Sequence, residues 1–361
     1  MNVKNALSKS TFLLSLVFMV NNGCKQSLPD EQFNLDISSL QAKECRFDEV
    51  LSLKKILILE ETTNSLLSDI VHIKVHKNNI YISDNQHVVI YRFSENGKFL
   101  NSIGKQGRGP GELLTVLDFQ VEESTIWAMD LYKFVVYDHV GHFLREYAKP
   151  VISFDFIQDR DNNLLIYNTS SSKWPQIIIK DSLFKTTQSF SPMHYNQRIM
   201  PAAGRSYLFN DNKDIFLTYP FSDTIYRISD TTATPFFIFG FGEKRLKDYN
   251  SLYSGNFDGD LSKYIYSVKD FITEDYLVST IAVGDKTQLL ILERRSGKTR
   301  LIDTITDGPD LINKSSLLYV DVEGNCYWGY NAYAGDSAFK SMFNGRYANE
   351  NTALIITTIK E

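Results

Sequence analysis

The chain has 361 residues, 43% of them hydrophobic, 13% aromatic and 22% charged, with a formal net charge of −5. This composition excludes a disordered or collagen-like chain, and the acidic balance excludes the basic footprint of a nucleic-acid binder. Twenty Tyr and 24 Phe against 19 Gly favour strands, and the length exceeds the ~100–200 residues of a usual single domain, leaving two domains or one repeat architecture.

The first element is an address. Lys4 and Lys9 precede Phe12 to Val20, FLLSLVFMV, an apolar run too short for the ~20 residues that span a bilayer. Asn21-Asn22-Gly23-Cys24 follows and resembles a bacterial lipobox, with Asn21 where an aliphatic residue is usual. Residues 1–23 are therefore read as a lipoprotein-type signal peptide and Cys24 as the lipidated residue, with ordinary secretion as the alternative. The protein is expected in the bacterial cell envelope, touching the membrane through its lipid alone. Residues 24–52 are read as tether and lead-in, polar from Lys25 to Gln32 and containing Pro29. An exported compartment permits a Cys45–Cys326 bridge, but spacing alone does not decide it, and no CxxC motif suggests zinc.

A repeat fills residues 53–361. Short apolar runs ending in polar residues recur at Ile80 to Asp84, Ile126 to Asp130, Leu164 to Asn168, Ile215 to Tyr219, Tyr276 to Thr280 and Cys326 to Tyr330. A second strand-like run precedes each one, across a turn rich in Asn, Asp and Gly. Most units continue with two further β-rich runs, as in His87 to Phe93 and Lys98 to Ile103. The spacing is about 49 residues, matching the ~40–50 of a four-stranded propeller blade. An all-β six-bladed β-propeller of four-stranded antiparallel blades is expected; the alternative is a pair of β-sandwich domains. The last unit lacks a fourth strand, and Leu53 to Leu59, LKKILIL, is free to supply it. An N-terminal strand joining the last blade would close the ring and remove two sheet edges.

Ile103 to Glu112, IGKQGRGPGE, closely resembles the loop after the first blade in a family of exported bacterial six-bladed β-propeller proteins, distantly similar to NHL-repeat proteins. Leu59 to Thr62, Phe93 to Phe99 (FSENGKF) and Asn351 to Ile356 (NTALII, with Thr352 where Pro is usual) resemble further segments of that family. The resemblance implies the fold and the address, and no particular reaction.

In such a blade the loop after the second strand and the loop between blades share the top face, where binding residues usually sit. The candidate ligand-binding set there is Arg108, Arg198, Arg205, Trp174, Tyr219 and Tyr330. Guanidinium forks suit carboxylate or phosphate, and aromatic faces suit sugar rings. The plain alternative is that Arg108 bonds within its own loop and the aromatics pack between blades. His72 and His76 have the spacing of a helical zinc site, yet Val71, Ile73 and Val75 alternate with them, which is strand periodicity. On a strand the two lie ~13 Å apart, and both are expected to be exposed. No HExxH or GxSxG occurs. Lactonase-type propellers hold one calcium at the channel; Asp84, Asp130 and Asn168 are the candidates, although such Asp residues also cap turns. The expected function is an envelope-tethered binding module without a cofactor, taking a small molecule, glycan or protein partner. The alternative is a calcium-dependent hydrolase or lyase.

Overall fold

The computed structural model describes residues 32–151, 153–168, 175–191, 207–211, 213–219, 222–229, 232–246, 259–308, 312–331 and 352–360. The chain begins with β1 (Phe33–Leu35), β2 (Lys43–Arg46), one helical turn α1 (Phe47–Val50) and β3 (Leu51–Ile58). Blade 1 follows as β4 (Ile70–His76), β5 (Asn79–Asp84), β6 (Ile90–Ser94) and β7 (Phe99–Ile103). Blade 2 is β8 (Asp118–Val121), β9 (Ile126–Met129), β10 (Lys133–Tyr137) and β11 (Phe143–Ala148). Blade 3 is β12 (Ser153–Gln158), β13 (Leu164–Asn168), β14 (Ile177–Lys180) and β15 (Thr186–Phe190). Blade 4 is β16 (Leu208–Asn210), β17 (Ile215–Leu217), β18 (Thr224–Ile228) and β19 (Ala233–Phe239). Blade 5 is β20 (Ile265–Ile272), β21 (Tyr276–Val283), β22 (Lys286–Glu293) and β23 (Thr299–Thr306). Blade 6 is β24 (Ser316–Val320), β25 (Asn325–Asn331) and β26 (Thr352–Ile359), completed by β3. The fold is a six-bladed β-propeller of antiparallel blades, and the six repeated apolar runs are the second strands.

Turn chemistry sets the blade hairpins. Asp138, Asp159, Asp181 and Asp321 each open a turn and accept hydrogen bonds from two backbone N–H groups beyond it, as in Asp321 Oδ1 with Glu323 N (3.0 Å) and Asn325 N (2.9 Å). Such Asx turns fold the backbone where strand pairing alone would not. Between blades the apolar side chains of facing sheets interlock in six clusters, one per interface. At the blade 1–2 interface Tyr81, Ile103, Phe119 and Val135 are almost wholly buried, each stabilising the fold by roughly 1.5–3 kcal/mol relative to exposure.

Ring closure is as expected: β3 pairs antiparallel with β26, from Ala353↔Ile58 to Ile359↔Leu51. Within residues 24–52, read as tether and lead-in, the chain adds strands to the propeller from Phe33 onward. β1 adds parallel to β19, the outermost strand of blade 4, where Phe33 stacks on Phe237 at 4.8 Å. β2 adds parallel to β23, the outermost strand of blade 5. One segment thus laces the outer edges of three consecutive blades. Cys45 and Cys326 are free thiols. Burial pushes the Cys326 thiol up to about 12, which leaves it protonated and inert.

Candidate functional site

The top face is taken as the end at which the innermost strands β4, β8, β12, β16, β20 and β24 begin; the connections between blades lie there. The Gly-rich loop of residues 104–112 crosses it from blade 1 to blade 2. Glu112 folds back so that its carboxylate accepts from Gly109 N at 2.9 Å and pairs with Lys105 at 3.3 Å. These contacts, the backbone bond to Gly109 first, hold its carboxyl below the usual range. Glu146 reaches in from β11 to accept from Gly111 N at 3.1 Å and Lys133 at 2.8 Å, and Lys133 also donates to Gly109 O. Gly111 has φ +71°, and a Cβ there would sit 2.7 Å from Phe143 Cγ, so only glycine fits. The loop is closed by its own bonds, and Lys105, Glu112, Lys133 and Glu146 are all paired. Arg108 is exposed, and its guanidinium meets no carboxylate among the described residues.

Two other expected rim residues are placed differently. Tyr219 is fully buried between blades 3 and 4, against Tyr167 and Tyr226, with its hydroxyl donating to Gln176 Oε1 at 3.3 Å. Tyr330 is buried in the blade 5–6 core. Both are corrected from ligand-facing to packing positions: Tyr330 on β25 lies between facing sheets, and Tyr219, two residues past β17, folds in among the tyrosines of blades 3 and 4. Arg198, Arg205, Trp174 and Cys24 lie outside the described residues.

A cleft of about 340 Å³ opens at the top between blades 5 and 6. Thr280, Thr287, Gln288, Asp303, Asn313 and Trp328 line it. Lys286 (3.0 Å) and Gln288 (3.1 Å) fix the Asp303 carboxylate, and those bonds hold its carboxyl below the usual range. Thr280 Oγ1 accepts from Lys269 N at 3.1 Å, so its proton points elsewhere. Trp328 Nε1 donates to Thr357 Oγ1 at 3.0 Å and sets the indole in the floor. Alternating hydroxyl, amide and carboxylate groups over an aromatic floor suit a ligand rich in hydroxyls.

Side chains in the channel tie neighbouring blades together. His72 Nε2 donates to Leu117 O at 2.9 Å, from blade 1 to blade 2. Gln120 Nε2 donates to Phe156 O at 2.7 Å, from blade 2 to blade 3. Asp155 Oδ2 accepts from Leu208 N at 2.7 Å and from Tyr207 N, from blade 3 to blade 4. Burial raises the Asp155 carboxyl well above the carboxylate range, reinforced by the Asp118 charge and by the hydrogen bond between the two carboxyl groups. Burial lowers the His72 pKa, opposed by Asp118. His72 was expected to be exposed; it is buried because blade 2 covers the face of the strand that alternation assigns to solvent. His76 is half-buried, stacked on His139 at 5.8 Å.

The calcium candidates do not fit a metal. Asp84 accepts from Ser68 N, Gln86 N and His87 N, and Asp130 from Leu114 N and Leu131 N. Asn168 Nδ2 donates to Pro175 O. These groups cap loops, and among the described residues no three His, Cys, Asp or Glu side chains are grouped to hold an ion.

The channel acids were legible and missed. Asp118-Phe119, Asp155-Phe156 and Asp270-Phe271 repeat one dipeptide on three innermost strands, with His72-Ile73 at the corresponding place in blade 1. A buried acid recurring in a strand motif marks the innermost strand better than the apolar runs do.

A family model described as a domain of unknown function, DUF4934, matches residues 31–360. A presumed exported protein from Bacteroides fragilis has a similar solved structure, with a TM-score of 0.74, 20% identity, and coverage of 91% of this chain and 99% of that one. A member of the DUF4221 family from Bacteroides vulgatus follows, with a TM-score of 0.56, 13% identity, and coverage of 88% of this chain and 100% of its own. At these identities the likeness is one of fold. No curated protein sequence matches the chain.

Proposed function

This chain belongs to the DUF4934 family, and we propose that it is an exported, lipid-tethered binding module that takes a saccharide or anionic ligand on its top face. The observation that carries this reading is the blade 5–6 cleft, where Asp303, Gln288 and Thr280 are fixed as hydrogen-bonding groups beside Trp328. Arg108, held out by its closed loop on the same face, adds a site for a carboxylate or phosphate. Arg198, Arg205 and Trp174 belong to the proposed set by their place in the sequence. The signal-like N-terminus with Cys24 and the presumed export of the Bacteroides fragilis protein support the envelope address.

The test is an array of neutral and acidic oligosaccharides, followed by calorimetry with the hits. Asp303→Ala should weaken binding at least roughly tenfold, and replacing Arg108, Arg198 and Arg205 together should remove any preference for acidic ligands, both with a nearly unchanged melting temperature. Unchanged affinity in both variants overturns the top-face reading. Cys24→Ala should release the protein from membranes; wild-type protein found wholly in the soluble fraction overturns the anchor.

A further inference from the structure

On the opposite face a groove of about 750 Å³ runs along the seam where blade 6 meets blade 1. Its size is that of a small-molecule site, and its position follows from ring closure, since β3 forms one wall. Neighbouring residues of a strand normally point to opposite sides. Here the pairing of β3 with β26 slips between Lys55↔Ile356 and Leu53↔Thr357, which makes Lys54 an extra, bulged residue. A bulge re-aims a side chain, and both Lys54 and Lys55 line the groove. Neutral oxygens hold the two ammonium groups. Lys54 Nζ donates to Asn325 Oδ1 at 2.5 Å, and Lys55 Nζ donates to Glu95 O and Asn96 Oδ1, both at 2.8 Å. Neither ammonium meets a carboxylate among the described residues. Glu95, Asp321 and Glu323 line the same groove: the two Asp321 oxygens accept from Glu323 N, Asn325 N, Asn325 Nδ2 and Tyr327 Oη, and Glu323 accepts from Asn325 Nδ2 at 3.4 Å.

The floor is aromatic and apolar. Tyr319 lies half-buried against Tyr327, ring centroids 5.7 Å apart, with Val75 and Ile356 beside them. Two ammonium groups positioned by neutral oxygens, beside the face of a half-buried tyrosine, suit a ligand with a carboxylate and a weakly polar ring face. We propose that this groove binds an acidic saccharide chain of the uronate type. The carboxylate would complete the coordination of Lys54 and Lys55, and a pyranose face would lie on Tyr319. Phosphate alone would find the charges and nothing to lay on the Tyr319 ring, and an acidic peptide would find the charges without a ring face to stack there.

The experiment is calorimetry on the full chain with a short galacturonate oligomer, its neutral methyl ester and poly-glutamate of similar length. The oligogalacturonate should bind, with an affinity that falls as salt rises; the methyl ester and poly-glutamate should bind at least roughly tenfold more weakly. Lys54→Gln with Lys55→Gln should remove the difference between acid and ester, since Gln keeps the length of the side chain without its charge. Repeating the titrations in an Arg108→Ala/Asp303→Ala background, which removes the proposed top-face groups, keeps the two readings apart: oligogalacturonate binding that persists there and is lost on adding Lys54→Gln with Lys55→Gln belongs to this groove. Equal binding of poly-glutamate, or an acid preference that survives in the Lys54/Lys55 double variant, overturns the proposal, as does an absence of oligogalacturonate binding.

Discussion

Blades 4 and 5 are joined by a buried ion pair whose removal tests the packing argument most sharply. Arg294, just past β22, places Nη1 2.8 Å from Asp211 Oδ2 in the hairpin of blade 4, and both side chains are only 3% exposed. The same nitrogen donates to Thr273 O, and the guanidinium lies 5.4 Å from the centroid of Phe236. Asp211 Oδ1 already accepts from Lys213 N (3.1 Å) and Asp214 N (2.9 Å). Asp211→Asn keeps the turn bonds and strands a buried cation, and breaking one side of such a pair costs about 3–5 kcal/mol. Arg294→Met strands an anion that keeps its two backbone donors, so its cost should fall at the lower end, about 2–3 kcal/mol. The folded unit runs from Glu31 to Glu361. At ~2.1 cal/mol/K per residue its unfolding entropy is about 0.7 kcal/mol/K, so Asp211→Asn should lower Tm by about 4–7 °C. The double variant removes both charges and should recover part of the loss. Thermal and urea unfolding of the four proteins give the cycle. Additive losses, or an Asp211→Asn shift below about 2 °C, would mean that the pair does not hold the blades as its geometry indicates.

Three further outcomes follow from other sites. Asp155→Asn should be neutral or stabilising at pH 7: the amide oxygen can accept from Tyr207 N and Leu208 N, and the amide N–H can keep the hydrogen bond with Asp118. Because the folded-state pKa of Asp155 is raised, the native protein binds the extra proton and loses stability as pH climbs above ~4; the variant should flatten that slope in pH-dependent urea unfolding. His72 and His76 have the opposite sign, since both pKa values are lowered from 6.5, first by burial. Stability is present above pH 6.5 and lost as pH falls through it, and His72→Gln, which can keep the donation to Leu117 O, should reduce the acid loss. Gly111→Ala should cost about 2–4 kcal/mol in equilibrium unfolding, combining a left-handed φ of +71° with the approach of Phe143; a loss below about 1 kcal/mol would show that the loop is looser than its bonds suggest.

The fold was legible because its signals are local and repeated. Each second strand is an apolar run ending in a polar residue, and each hairpin carries its own Asp or Asn, so six copies reinforce one period. Closure by Leu53 to Leu59 was legible because a strand without a blade and a blade without a strand leave one arrangement. The site was less so. Tyr219 and Tyr330 end strand-like runs, and nothing local separates a rim aromatic from one covered by the next blade. His72 was assigned to solvent by alternation, a rule for strands with one wet face, whereas an innermost strand has a blade on either side and the channel at its edge. The bulge that turns Lys54 and Lys55 the same way is set by the register against β26, some 300 residues away in sequence.

Taken together, the blade contacts divide the ring into two halves held by different means. From blade 1 to blade 4 the innermost strands are stitched at the channel by His72, Gln120 and Asp155, each bonding to backbone of the next blade. In blade 5 the corresponding acid turns inward instead: Asp270 Oδ1 accepts from Ser267 and Ser279 of its own blade, both at 2.6 Å, and its other oxygen has no partner among the described residues. Across blades 4, 5 and 6 the hold is at the rim, where β1, β2 and β3 pass from one outermost strand to the next, with Arg294–Asp211 locking blades 4 and 5 beneath. A propeller needs each interface to resist opening, and a strap at the rim does this without filling the channel wall with bonded side chains. The top-face cleft lies between the strapped blades 5 and 6, and the seam groove lies at the strap's end, where β3 walls the contact of blade 6 with blade 1. Both cavities therefore lie beside the N-terminal segment that closes the ring, the first against the strand that β2 joins and the second against β3 itself.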